Sequence, residues 1–159
     1  MDNAQLIAVM ASIVLQATPI TIAVIGELLT ERSGVVNLSL DGTMLMAAMT
    51  AFVVGLKTQN VWLGFAAAAV VGIAFAFIVA FGSIRLNQSQ VAIGFVLALL
   101  GDDLSAFVGQ NYTRMRGVFV PHFGIPVLKD IPVIGPIFFN QDVVVYFAIA
   151  LVIFSWWWL

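Results

Sequence analysis

The sequence predicts an all-α fold, a polytopic membrane helical bundle of about five segments with a broken or re-entrant helix near residues 34–44. Three observations predict it. The 159 residues are 62% apolar and 9% charged, with a mean hydropathy of +1.11, whereas soluble domains are about 45–50% apolar and about 25% charged. A single small core cannot hide that much apolar surface from water, so lipid is the solvent for much of the chain. The charged residues are separated by long apolar gaps. A polar, glycine-containing stretch then interrupts the apolar pattern at Gly34–Gly42. The net charge of −2 offers no electrostatic footprint for nucleic acid, so no nucleic-acid partner is expected and the surrounding partner is membrane lipid. With no cysteine, there is no thiolate metal site and no Cys nucleophile.

The gaps set the segments. Asn3–Gly26, Thr58–Ile84 and Val143–Leu159 carry no Asp, Glu, Lys or Arg. A bilayer core of about 30 Å takes about 20 helical residues, so the first two gaps span and the third just reaches. Gly42–Leu56 and Leu86–Gly101 fall short, so each helix must cross a charged position or stop partway. The segments expected are about 4–29, 36–56, 60–82, 87–108 and 141–159. The first has no basic flank and too long an apolar stretch for a signal peptide, so it is expected to stay in the mature protein. Pro19 within it is expected to kink or interrupt the helix.

In the third segment Gly64, Ala68, Gly72, Ala76 and Ala80 recur every four residues. Such a stripe lets helix backbones approach closely in lipid, and the expectation is tight packing. Residues 109–140 hold Pro121, Pro126, Pro132 and Pro136 with Arg114, Arg116, Lys129 and Asp130. They read as an external Pro-rich loop with short interfacial or re-entrant pieces such as 131–139. The lone His122 reads as an interfacial structural residue. The chain closes on Ser155-Trp156-Trp157-Trp158-Leu159 without a polar flank. The expectation is one transmembrane domain over 1–159, truncated at its C-terminal side.

No nucleotide-binding loop and no metalloprotease signature is present, and no enzyme, catalytic group, metal or bound cofactor is expected. Asn37, Ser39 and Asp41 enter an apolar run, where a carboxylate must face a partner or a water-filled cavity. Gly34 and Gly42 permit irregular backbone, which membranes tolerate only inside protein or along a cavity. These polar groups are the candidates for lining a translocation path, with Gln88 and Gln90 beside them. The competing reading is an ordinary interfacial loop with the helix starting at Gly42. Asp102 and Asp103 are left without an assigned role: a polar vestibule, or a solvated helix end paired to Arg114 or Arg116. Adjacent carboxylates do not share a helix face, so a metal site from these two alone is not expected.

Ala17-Thr18-Pro19, Gly26-Glu27 and above all Glu31-Arg32-Ser33-Gly34-Val35-Val36-Asn37-Leu38-Ser39-Leu40-Asp41-Gly42-Thr43-Met44-Leu45 resemble the simple-sugar and nucleoside type of ABC-transporter permease, part of the broad family with branched-chain amino acid and ribose permeases. Asp41 stands where the family pattern has Glu. Asn87-Gln88 and the stretch from Ile125-Pro126 to Asp142 also match. The resemblance implies a membrane-spanning permease subunit of an ABC importer for nucleosides or simple sugars. It implies three partners: a second permease subunit, an ATP-binding subunit that alone uses ATP, and a periplasmic or lipoprotein substrate-binding protein. It implies the bacterial inner (cell) membrane as the location, and members about twice this length. Lys57, Arg114, Arg116 and Lys129 against Arg32 and Arg85 put the N-terminus inside by the positive-inside rule. The resemblance puts it outside, and we follow the resemblance. The alternatives are an ion-coupled secondary transporter using Asp41, Asp102 or Asp103, and a structural membrane subunit held by the Gly64–Ala80 stripe.

Overall fold

The structure, a computed structural model, describes residues 3–126, 128 and 131–158. Lys129, Asp130 and Leu159, used in the sequence reading, lie outside the described residues. The order of elements is α1 (Asn3–Arg32), α2 (Leu40–Thr58), α3 (Val61–Ala80), α4 (Gln90–Gly109), β1 (His122–Gly124), β2 (Asn140–Asp142) and α5 (Val143–Trp158). Helices α1 to α4 are long and apolar enough to cross a membrane, so the chain is a multi-pass membrane protein. Helix α5 is as apolar as α3 and more so than the others, but has 16 residues, about 24 Å at 1.5 Å per residue.

The two short charge-free gaps resolve as the sequence requires. Helix α2 takes in Asp41 and Lys57, and α4 runs on past Asp102 and Asp103. Helix α1 continues unbroken through Pro19, contrary to the expected interruption. The proline removes one donor, to the Leu15 carbonyl, while the flanking turns stay bonded; hydroxyls reinforce them, Thr18 Oγ1 donating to Val14 O at 2.9 Å and Thr21 Oγ1 to Ala17 O at 3.0 Å.

The chain forms two compact units. One comprises the residues up to Leu28 and those from Val120 onward; the other is Leu29–Phe119. In the first, β1 and β2 form an antiparallel ribbon that pairs His122 with Asp142 and Gly124 with Asn140. His122 is hydrogen-bonded across it, Nδ1 to Asp142 Oδ1 at 2.9 Å and Nε2 to Asn140 Oδ1 at 3.2 Å. A π-helical turn over Gly135–Phe139 occupies part of the expected 131–139 piece. The ribbon was not legible in the loop: three-residue strands carry too little alternation to register. Gln141 anchors this unit. It is 3% exposed, and its Nε2 donates to Ala11 O at 3.0 Å and Ile137 O at 2.8 Å. Its backbone N–H donates to the Tyr146 hydroxyl, which donates in turn to Phe123 O.

In the second unit α2 and α3 form a helical hairpin. Gln59 takes a left-handed conformation (φ 52°) and Asn60 Oδ1 accepts from Trp62 N and Leu63 N, capping α3. Helix α2 also packs along α4. Here the backbones nearly touch. A Cβ added at Gly42 would lie 2.7 Å from the Ala98 Cα, and one at Gly101 would lie 2.6 Å from the Gly42 carbonyl carbon. Gly94 similarly faces Leu38 and Ser39, at 3.0 Å from the Leu38 nitrogen.

Candidate functional site

No single membrane helix is broken near 34–44: residues 33–39 are a non-helical connection between α1 and α2, each long enough to span by itself, and Asp41 lies in the first turn of α2. Two local motifs build the connection. Gly34 (φ 77°) ends α1 in a Schellman cap, its N–H donating to Glu31 O at 2.9 Å and that of Val35 to Thr30 O at 3.0 Å. The left-handed conformation explains the glycine. Asn37 then starts α2. Its Oδ1 accepts from Ser39 N at 3.1 Å and from Ser39 Oγ at 2.6 Å. The Ser39 carbonyl in turn accepts from Thr43 N at 2.9 Å and Thr43 Oγ1 at 2.7 Å. Ser39 is 2% exposed; a hydroxyl so buried is held by these bonds.

A third contact ties the connection to α4. Gln90, the first residue of that helix, accepts from Val36 N through Oε1 at 3.2 Å. Helix α3 meanwhile loosens into a π-helical turn over Phe81–Arg85, with Gly82 buried under the Ile93 side chain. Such turns leave the regular ladder and are frequent at functional sites.

Between these pieces lies a cavity of about 260 Å³. Asn37, Ser39, Thr43, Thr30, Ser83 and Gln90 supply its polar groups, and Gly72, Ala76 and Ala80 form a wall of α3. Among the described residues no charged one lines it. The candidate residues therefore divide. Asn37, Ser39 and Gln90 come together. Asp41 does not join them; it shares a separate groove with Asp102, about 700 Å³, walled by Leu38, Met44, Leu45, Phe95, Ala98 and Leu99. Gln88 lies in another pocket with Ile78 and Ala92, its Nε2 bonded back to Leu86 O at 3.0 Å. Asp103 is exposed on α4 and lines neither cavity nor groove. Among the described residues neither Asp102 nor Asp103 pairs with Arg114 or Arg116.

The small-residue stripe divides as well. Gly64 packs as expected, a Cβ there meeting the Ala51 backbone, and Ala68 is half-buried. At Gly72 nothing lies within 4 Å of an added Cβ, so tight packing stops there and Gly72, Ala76 and Ala80 leave space instead. The close contact missed by the sequence reading is on α4, where Gly94, Ala98 and Gly101 follow each other at four and then three residues and so share one helix face. Thr43 was signalled by its i+4 spacing from Ser39. Ser83 had no signal, because the π-helical turn that presents it has none in the sequence. Among the described residues no three His, Asp or Glu gather at a metal position.

The model of the branched-chain amino acid transport system / permease component family matches residues 9–159. The chain belongs to this family. Three curated relatives are named as ABC transporter permeases. It is 37% identical to a putative glucose ABC transporter permease protein of Haloferax volcanii, over 90% of this chain and 45% of that one. It is 30% identical to the nucleoside ABC transporter permease protein of Lactococcus lactis, over 93% and 50%. It is 31% identical to the guanosine ABC transporter permease protein of Bacillus subtilis, over 98% and 53%. The permease chain thus spans about half the length of the curated relatives it matches. No solved structure matches it significantly.

Proposed function

We propose that this chain is part of the membrane-spanning permease subunit of an ABC importer for nucleosides or simple sugars. The observation that carries the reading is a largely apolar cavity, dotted with uncharged polar side chains, at the connection between α1 and α2, inside a chain of the permease family. A neutral, hydrogen-bonding solute needs such a lining, since fixed charge in a membrane is costly and a nucleoside or sugar has none to pair with it. The subunit binds no cofactor of its own. A separate ATP-binding subunit supplies the free energy, a second permease subunit completes the path, and a binding protein or lipoprotein delivers the solute at a bacterial cell membrane. Transport then follows from partner binding that stabilises one packing of the helices over another.

The test is uptake by the full-length permease, assembled with its ATP-binding and substrate-binding partners in proteoliposomes. Uptake of radiolabelled nucleoside or hexose must require internal ATP. Uptake that survives ATP depletion and collapses with an ionophore would instead support ion coupling through the Asp41 and Asp102 groove. In the same assay Gln90→Ala, which alters the cavity lining, is expected to lower uptake with assembly intact; unchanged uptake removes the cavity from the path.

A further inference from the structure

We infer that the groove between α2 and α4 that holds Asp41 and Asp102 is a docking seat for a membrane helix with a lysine or arginine at mid-span, supplied by the part of the permease polypeptide that corresponds to the unmatched half of its curated relatives. This rests on the reading that the chain is part of a permease subunit. It concerns a face other than the cavity lined by Asn37, Ser39 and Gln90.

Depth carries the argument. The span that contains α4 runs over Gln90–Tyr112, and Gly101 lies eleven residues from either end, about 17 Å at 1.5 Å per residue. Asp102 is its neighbour. Helix α2 runs parallel to α4: Gly94 meets Leu38 and Ser39, Gly101 meets Gly42, and Lys57 Nζ lies 5.9 Å from the centre of the Tyr112 ring. Asp41 therefore sits at the level of Asp102. Helix α3 gives the same level, because Thr43 lines one cavity with Gly72 and Ala76, close to the middle of the span Val61–Arg85. Both carboxylates thus lie where the two longest spans of this unit are half-way across the membrane. Both residues are exposed, and neither carboxylate has a hydrogen-bond or ion-pair partner among the described residues. A carboxylate at that depth is costly on lipid, so it faces protein or water.

The shape of the groove favours protein. Its walls are two stripes at helical spacing, Leu38, Asp41 and Leu45 on α2 and Phe95, Leu99 and Asp102 on α4. Phe95 and Leu99 are 57% and 53% exposed. Parallel ridges about two turns long seat a third helix in the furrow between them, whereas a water-filled path would leave these large apolar side chains wet. Charge then specifies the occupant. Two carboxylates in one groove are balanced by a cation, and an arginine fork can reach both. A second copy of this chain offers none at this depth among its described residues: Arg32, Lys57 and Arg85 close α1, α2 and the α3 span, and Arg114 and Arg116 follow α4. The curated relatives carry about as much chain again outside the matched part. A helix of the same polypeptide covers the groove once the subunit is inserted. A separate subunit would leave both carboxylates on lipid until assembly.

The experiment places the photo-crosslinking residue p-benzoylphenylalanine at Leu99 of the full-length permease, assembled with its partners in membranes, and maps the adduct by mass spectrometry. The expected adduct is intramolecular, on a helix outside residues 1–159, within about two turns of a lysine or arginine. The pair Asp41→Asn and Asp102→Asn is expected to lower the thermal midpoint of the assembled transporter by about 5 °C or more. Exchanging that basic residue for methionine as well is expected to restore most of the loss, because an orphaned buried charge costs more than a pair replaced entire. An adduct to lipid, to another subunit or to a second copy of residues 1–159 overturns the inference. So does an intramolecular adduct with no basic residue near it, or a midpoint that the methionine exchange fails to restore. Leu99→Cys labelled by a membrane-impermeant maleimide also overturns it, by marking the groove as a water-filled path; residues 1–159 hold no competing cysteine. Uptake by the wild type, measured beside these, separates the two readings. An ATP requirement together with a lipid adduct leaves the importer standing, and uptake without any ATP requirement removes the importer reading instead.

Discussion

Helices α3 and α4 carry the same sequence device and use it in opposite ways. On α4, Gly94, Ala98 and Gly101 bring the backbone against Leu38, Ser39 and Gly42, so the absent side chains are replaced by contact. On α3 only the first residues of the Gly64–Ala80 stripe do this. From Gly72 onward the absent side chains leave a cavity. A small residue in a membrane helix permits close approach without requiring it. Which outcome follows depends on what the opposite element presents. Facing α4 is the helical, glycine-bearing N-terminus of α2. Facing the later part of α3 are the irregular 33–39 segment and the first turn of α4, neither of which can lie flush against a helix.

The sharpest way to break this comparison is to add volume on α4. Gly101→Leu is expected to cost about 3 kcal/mol or more, because the side chain meets the Gly42 backbone; a lowered thermal midpoint in detergent would report it. The pair Gly42→Ala and Gly101→Ala comes next. Each alone is expected to cost about 2 kcal/mol, and together clearly less than their sum, because both open the same contact; a double-mutant cycle in the same assay measures this. Gly64→Ala is expected to cost about 1 kcal/mol, since its Cβ would lie 2.6 Å from the Ala51 carbonyl oxygen. Gly72→Ala is expected to act with the opposite sign. It meets nothing within 4 Å and should stabilise by up to about 1 kcal/mol through helix propensity alone. A destabilising Gly72→Ala would show that the whole α3 stripe is packed, and the contrast would disappear.

Much of the candidate site was readable residue by residue. Gly34 announces a left-handed cap, and Asn37-Leu38-Ser39 offers an amide two positions before a backbone donor. The grouping was not readable. Asp41 is two residues from Ser39, but on entering α2 successive side chains point about 100° apart, so Asp41 turns to the Asp102 groove while Ser39 and Thr43 face the cavity. Gln88 and Gln90 part for a related reason: Asn87 is left-handed (φ 52°), Gln88 folds back on Leu86, and only Gln90 enters the helix that faces the connection.

The sequence by itself determined that this is a multi-pass helical membrane protein, about where its segments run and which permease family it resembles. The first two depend on hydropathy and charge spacing, which are local and additive along the chain; the resemblance rests on the particular residues of the Glu31–Leu45 stretch. Only the tertiary structure decided which small residues touch, which polar residues share a cavity and that a strand ribbon closes the first unit. Those properties depend on the register and facing of elements distant in sequence, where a shift of a single helical residue exchanges a contact for a space.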